Sequence, residues 1–208
     1  MPYHHGNLRE AMLERAAEVI AEHGVAALSL RGLARDLDVS HAAPSAHFRD
    51  RRALLSALAQ EGFQQCLAAV RIASEAAGPD PVARYRALGR AYVQFARDNP
   101  SFFRAITHPE VESHADEDLL EARAVWMETL RDGIGAAQAA GWQADIEVNT
   151  LLAFSCGATL GMAQMVSDPH WNLVFDDVDA LADAVFDLVV HRSSFTAVPS
   201  GNKRRKAP

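Results

Sequence analysis

The stretch SLRGLARDLDVSHAAPSAHFRDRRALL, Ser29 to Leu55, decides the fold. Ser29 has a hydroxyl that can accept from an orphan first-turn amide, and Leu30, Leu33, Ala34 and Leu37 then recur at helical spacing. Asp38 sits where the chain must turn sharply; Asp is one of the few non-glycine residues that tolerate a left-handed backbone. Val39 fills the corner, and Ser40 is a second capping residue. His41 to His47 read as a second short helix, stopped by Phe48. Pro44 falls at about the fourth position after the cap, where a short helix can still survive it. A third, longer helix opens at Asp50. Two short helices around a tight turn are the grammar of a helix-turn-helix DNA reader.

In such a unit the second helix enters the major groove. Ala42, Ala43 and Ser45 are small enough to let its backbone approach, with His41 and His47 on the same helix. Arg49, Arg51 and Arg52 stand just beyond to meet phosphates. Ser29, Arg31 and Ser40 complete the expected contact set.

The charge distribution supports a local DNA-facing edge. The chain carries a formal net charge of −7 over 208 residues. Residues 1–60 balance seven arginines against seven carboxylates, whereas residues 61–198 hold nine arginines against twenty. Four basic residues, Lys203 to Lys206, sit in the tail. The acid is in the body, where it would repel DNA and help orient the molecule.

Working outward, Leu8 to Ile20 form an apolar-faced helix ended by Gly24. The helix opening at Asp50 meets no breaker before Gly78, a run of some 25 residues, or about 40 Å. Asp80 and Pro81 cap and open the next helix, which stops at Asn99-Pro100. Ser101 to Thr107 form a short helix with adjacent Phe102 and Phe103. A further helix from Asp118 to about Gly141 carries Trp126 and Leu130. The segments Ile146 to Val166 and Val178 to Val190 each show two apolar faces and therefore need two partners. We expect them to form half of an intersubunit four-helix bundle through Leu151, Ala158, Met162, Met165, Leu181, Val185 and Leu188.

The opening YHHGNLRE (Tyr3 to Glu10), then EHGVAALSLRGLAR (Glu22 to Arg35) and VSHAAPSAHFRDRRALL (Val39 to Leu55) together resemble the DNA-binding domain of the tetracycline-repressor (TetR) family, in particular relatives with a HAAP-type recognition helix. The resemblance is specific over about the first 58 residues. It implies a dimeric bacterial regulator that binds a double-stranded DNA operator and a small-molecule effector, with repression as the family default. Two positions depart from it: Ser45 stands where such relatives usually carry an aromatic, commonly Tyr, and Ala46 where they carry a basic or long polar residue. The aromatic normally touches the DNA backbone.

The expected fold is therefore all-α, with a three-helix head over residues 1–50, a helical ligand-binding and dimerisation body over 51–195, and a basic tail over 196–208. The effector pocket is expected among the long helix and the helices of Tyr92, Trp126 and Phe154. Its lining would be Leu67, Tyr92, Phe95, Phe103, Trp126, Leu130 and Phe154, which suits a hydrophobic or aromatic ligand.

Other classes fit less well. No Gly-rich phosphate loop, no Gly-x-Ser-x-Gly elbow and no His-Glu-x-x-His pair is present, so an enzyme is not expected. Cys66 and Cys156 are far apart and match no zinc pattern. The polar run His108 to Asp118 contains His114, Glu110 and Glu112 but matches no ligand spacing, and no cofactor or metal is expected. No apolar run is expected to reach the roughly 20 residues of a membrane span, and the N-terminus is polar, so the expected location is the cytoplasm. An all-helical interaction module would explain the body but leave the Ser29–Leu55 unit unexplained.

Overall fold

The computed structural model describes residues 8–109, 116–168, 170–171, 174 and 177–191. Among these the protein is all-α, with eight α-helices and no strand. The arm before Leu8, Glu110 to Ala115 with His114, and the basic tail lie outside the described residues.

The head begins with α1 (Leu8–His23), which buries Met12, Leu13, Ala16, Val19 and Ile20. Gly24 ends it at φ 79°, a left-handed conformation that costs glycine little. A 3-10 turn (Val25–Ala27) then leads to α2 (Leu30–Asp36). Ser29 caps α2 as expected, its Oγ accepting from the Gly32 amide at 3.1 Å. Asp38 makes the turn at φ 53°.

The second reader helix is a correction. His41 to His47 do not form an α-helix; the helical part is one 3-10 turn, Ala43–Ala46. Its bonds run three residues back, from the Ala43 amide to Ser40 O at 3.0 Å and from Ser45 to Ala42 O at 3.1 Å. Pro44 has no amide to offer an α-helical ladder, and its ring would crowd the carbonyl four residues earlier. The proline is instead buried against the head. Ser40 contributes a carbonyl; the turn has no side-chain cap.

The long helix α3 (Arg51–Ala76) is capped by Asp50, whose carboxylate accepts from the Ala53 amide at 2.8 Å. Its 26 residues span about 39 Å. Leu54, Leu55 and Leu58 pack into the head, while Cys66 and Val70 are buried in the body. One hydrophobic core thus runs through both parts.

In the body, α4 (Pro81–Asp98) opens with Asp80 as cap and Pro81 at its first position. The short α5 (Pro100–Ile106) follows, then α6 (Glu117–Ala139), whose cap is Asp116. The chain closes with α7 (Val148–Ser167) and α8 (Val178–His191). Helix α4 lies at the centre, against α3, α6, α7 and α8. It meets α8 so closely at Gly89 that an added Cβ would come within 2.7 Å of the Phe186 ring.

The helix α7 corrects the expectation about apolar runs. It has 20 residues, and its most apolar 18-residue stretch has a mean hydropathy of 1.3, long and apolar enough by length and composition to cross a membrane. In this fold one side of it is core: Leu151, Leu152, Met162 and Ala163 are buried. Phe154 and Leu160 on α7 and Leu188 on α8 remain exposed.

Candidate DNA-reading surface and effector cavity

The head presents a small, bare surface. His41, Ala42, Ser45, Ala46 and His47 are exposed around the 3-10 turn, and Ala43 is half-buried. Phe48 is buried beneath them, with the Arg9 guanidinium 5.7 Å from its ring centroid. Arg31, Arg49 and Arg52 are exposed, as are Ser29 and Ser40, although the Ser29 hydroxyl is engaged as the α2 cap. Arg49 Nε lies 3.6 Å from the Asp50 carboxylate.

Arg51 has a different place from its neighbours. Its Nε donates to Leu28 O at 3.1 Å and its Nη2 to Val25 O at 3.0 Å. The guanidinium ties the start of α3 to the turn between α1 and α2, so Arg51 holds the head together. A second tie joins α1 to α2: two nitrogens of Arg15 donate to one Asp36 oxygen at 3.1 and 3.0 Å. The Arg15 bonds hold the Asp36 carboxyl below its ordinary range.

A cavity of about 450 Å³ lies in the body. Helix α4 supplies Tyr85, Arg86, Leu88, Gly89 and Tyr92, and α6 faces it with Arg123, Trp126, Met127 and Leu130. Helix α7 adds Ser155, Cys156, Thr159, Leu160 and Gln164. The remaining walls are Phe63 of α3, Ile106 and Thr107 at the end of α5, and Phe186 of α8. The volume is that of a site for a small organic molecule. Burial pushes the Tyr85 phenol up to about 12 and also raises Tyr92 and Cys156, so these groups stay neutral at pH 7.

Of the expected lining, Tyr92, Trp126 and Leu130 border the cavity, and Leu67, Phe95, Phe103 and Phe154 do not. Phe103 stands behind Tyr92, edge-on at 6.0 Å and 77°. It holds the ring that faces Trp126 at 5.3 Å. Phe95 borders a separate groove beside Ala182 and Asp183. Leu67 is half-buried on α3, and Phe154 is 40% exposed because its neighbours Ser155 and Cys156 take the inward face. The sequence reading expected α5 to contribute Phe103, where Ile106 and Thr107 stand instead, and it missed α8 as a wall.

The helix α5 also touches the head. Arg104 Nη1 donates to Ile20 O at 3.0 Å and Ala21 O at 3.3 Å, the carbonyls at the end of α1. Two residues on, Ile106 lines the cavity. No sequence pattern marks this link, since one arginine in a seven-residue helix has no periodic signature.

Residues 12–58 match the family of bacterial regulatory proteins of the tetR family, and residues 85–189 match the tetracyclin repressor-like C-terminal domain. The chain belongs to the TetR family. It is a DNA-binding transcriptional regulator of the all-α kind, and response to a small ligand is typical of this family. Members of the TetR family bind DNA operators and dimerise, and they are generally not enzymes.

Among solved structures, the TetR-family chain is similar to a protein of unknown function from Rhodococcus sp. RHA1, with 36% identity and a TM-score of 0.76 over 91% of this chain and 96% of that one. A tetR-family regulatory protein from Rhodococcus RHA1 aligns at 22% identity and TM-score 0.72, over 88% and 94% of the two chains. The fatty acid degradation regulator FadR from Bacillus halodurans aligns at 15% identity and TM-score 0.72, over 91% and 97%. At these two lower identities the likeness is one of fold. Comparison with curated proteins returned no match.

Of the expected interface residues, Leu151 and Met162 are buried within the chain. Ala158, Met165, Leu181 and Val185 are half-buried, and Leu188 is 68% exposed. A Cβ added at Gly157 or Gly161 would meet nothing within 4 Å, so the outer side of α7 is open to close approach. Among the described residues no group of His, Cys, Asp or Glu is placed to hold a metal ion.

Proposed function

We propose that this TetR-family regulator is a homodimeric cytoplasmic repressor, with residues 1–50 as the reading head, 51–195 as the effector and dimerisation body, and 196–208 as a basic tail. Its two heads enter successive major grooves about 34 Å apart, and a hydrophobic or aromatic effector in the cavity releases them. The observation that carries this reading is the position of α5. It borders the cavity at Ile106 and reaches the end of α1 through Arg104. Gly62 of α3 fits against the same helix so tightly that a Cβ there would lie 2.9 Å from Ile106 Cγ2. A ligand pressing on Ile106 and Thr107 has to move α5, and α5 cannot move without disturbing α1 or α3. Packed elements of this kind have discrete alternative arrangements, so a small shift biases one over another.

Dimerisation is assigned to the outer side of α7 and to α8, with Phe154 and Leu188 as exposed apolar groups and Gly157 and Gly161 permitting close helix approach. The head contacts DNA through the residues around the 3-10 turn, with Arg31, Arg49 and Arg52 at the phosphates.

Footprinting on DNA flanking the gene, combined with solution mass, tests this reading. The expected footprint is a two-fold symmetric site with half-sites one or more helical turns apart, bound by a species twice the 22.6 kDa chain mass. A single unsymmetrical half-site bound by a monomer would contradict it.

A further inference from the structure

We propose that the effector is an organic anion with an aromatic body, an aryl carboxylate, whose carboxylate accepts a hydrogen bond from the Nε–H of Arg86. This rests on the reading of the cavity as the effector site.

The charge of the wall points to an anion. Two guanidinium groups, Arg86 and Arg123, line the cavity, and among the described residues no Asp or Glu does. The surroundings are the reverse, since residues 61–198 carry nine arginines against twenty carboxylates. Arg123 lies over the Phe63 ring at 6.0 Å and has no carboxylate partner among the described residues. A cationic ligand would face two guanidinium groups, of which Arg86 alone has a carboxylate partner among the described residues, Asp187, and an anion meets a wall with one guanidinium left over.

Arg86 also has a donor to spare. It pairs with Asp187 of α8 through a terminal nitrogen, yet its Nε is buried and has no hydrogen-bond partner among the described residues. A buried N–H without an acceptor is rare and costly, and this one belongs to a cavity-lining residue. Ser155 has a similar deficit. Its hydroxyl faces that of Tyr85, but it is buried and completes no hydrogen bond within contact distance. Two unmet polar groups on residues that line one cavity are what the polar end of a ligand would satisfy.

The apolar part of the wall suits a flat ring system. Tyr92 and Trp126 pack with centroids 5.3 Å apart, and Phe63 and Phe186 add two further rings. Rings on several sides accept another ring by offset or edge-on stacking.

Calorimetric titration of the full chain with 2-naphthoate and with 2-naphthamide, which share a body and differ in charge, tests the assignment. Naphthoate is expected to bind on the order of tenfold to a hundredfold tighter. Arg86→Met should abolish that preference, and Asp187→Asn, which removes the pairing to α8 but leaves the donor, should retain it. Equal binding of the two compounds, no binding of either at millimolar concentration, or a preference that survives Arg86→Met would overturn the proposal. Loss of the preference in Asp187→Asn would assign it to the α4–α8 pairing and would also overturn it. Operator binding by the ligand-free protein is measured in parallel. Its absence would remove the regulator reading itself, whereas intact operator binding beside any overturning result removes only this ligand class.

Discussion

The Arg104 guanidinium donates to the Ile20 carbonyl at 3.0 Å, joining residues 84 apart in sequence. One end of this bond sits on α5 beneath the cavity; the other is the last turn of the first head helix. A cation at a helix C-terminus satisfies carbonyls that the helix leaves unpaired. Here it also makes the head's first helix depend on where α5 stands.

Arg104→Met should therefore leave effector affinity close to that of the native chain but reduce the effector's influence on operator affinity. Coupling free energies of this kind run to about 1–3 kcal/mol, or roughly 5-fold to 150-fold in affinity. Operator titrations with and without a cavity ligand, in both proteins, measure the ratio directly. A ratio unchanged in Arg104→Met would show that the signal travels elsewhere.

Arg51 and Arg52 are neighbours with separate duties, and substitution should separate them. Arg51→Ala removes two bonds to the Leu28 and Val25 carbonyls and should destabilise the head by about 2 kcal/mol, seen as a lower denaturant midpoint. Arg52 is exposed, so Arg52→Ala should leave stability within about 0.5 kcal/mol. It should instead lower the slope of log operator affinity against log salt by about one phosphate contact.

Ser45 is exposed on the reading surface beside Ala46, and neither side chain reaches far. Ser45→Tyr should add a phenol within reach of a phosphate and tighten operator binding by roughly threefold to tenfold, the yield of one net hydrogen bond. Fluorescence anisotropy on one duplex at fixed salt would register it. Equal or weaker binding would mean that Ser45 does not face the backbone.

The Arg15–Asp36 pair gives the head a pH dependence. Asp36 is held below its ordinary pKa, chiefly by the Arg15 hydrogen bonds, so the folded state favours the ionised form. Its contribution is fully present above the unfolded carboxylate value of about 4 and is lost as pH falls through the lower folded value. Asp36→Asn should melt below the native protein at pH 7 and at pH 5, with the gap closing under pH 4. A gap that persists at pH 2.5 would assign the loss to something other than this ionisation.

Much of the fold was legible because it is written locally. Ser29, Asp50 and Asp80 cap the helices that follow them, and Asp38 takes the left-handed turn, each through its own backbone chemistry. Pro44 was misjudged because the choice between an α-helix and a 3-10 turn rested on burying its ring, which is a tertiary matter. Arg51 looked like a phosphate ligand because sequence shows a charge but not the carbonyls it will meet. The cavity was half legible for a related reason. Helical spacing tells which residues share a face but not how that face is turned toward its neighbours. Tyr92 and Trp126 were found, whereas Phe154 points outward and α8 closes a wall through Phe186. The second apolar face of α7 was anticipated, but not which residues it would show: Leu151 and Met162 are core, whereas Phe154 is exposed.

The most direct test of the regulator reading is a titration of the protein against its footprinted duplex and a scrambled duplex of equal length, at two salt concentrations. The expected result is a specific site bound at least about a thousandfold tighter than the scrambled one. Both affinities should fall as salt rises. Equal affinity for the two duplexes, or affinity that does not change with salt, would contradict it.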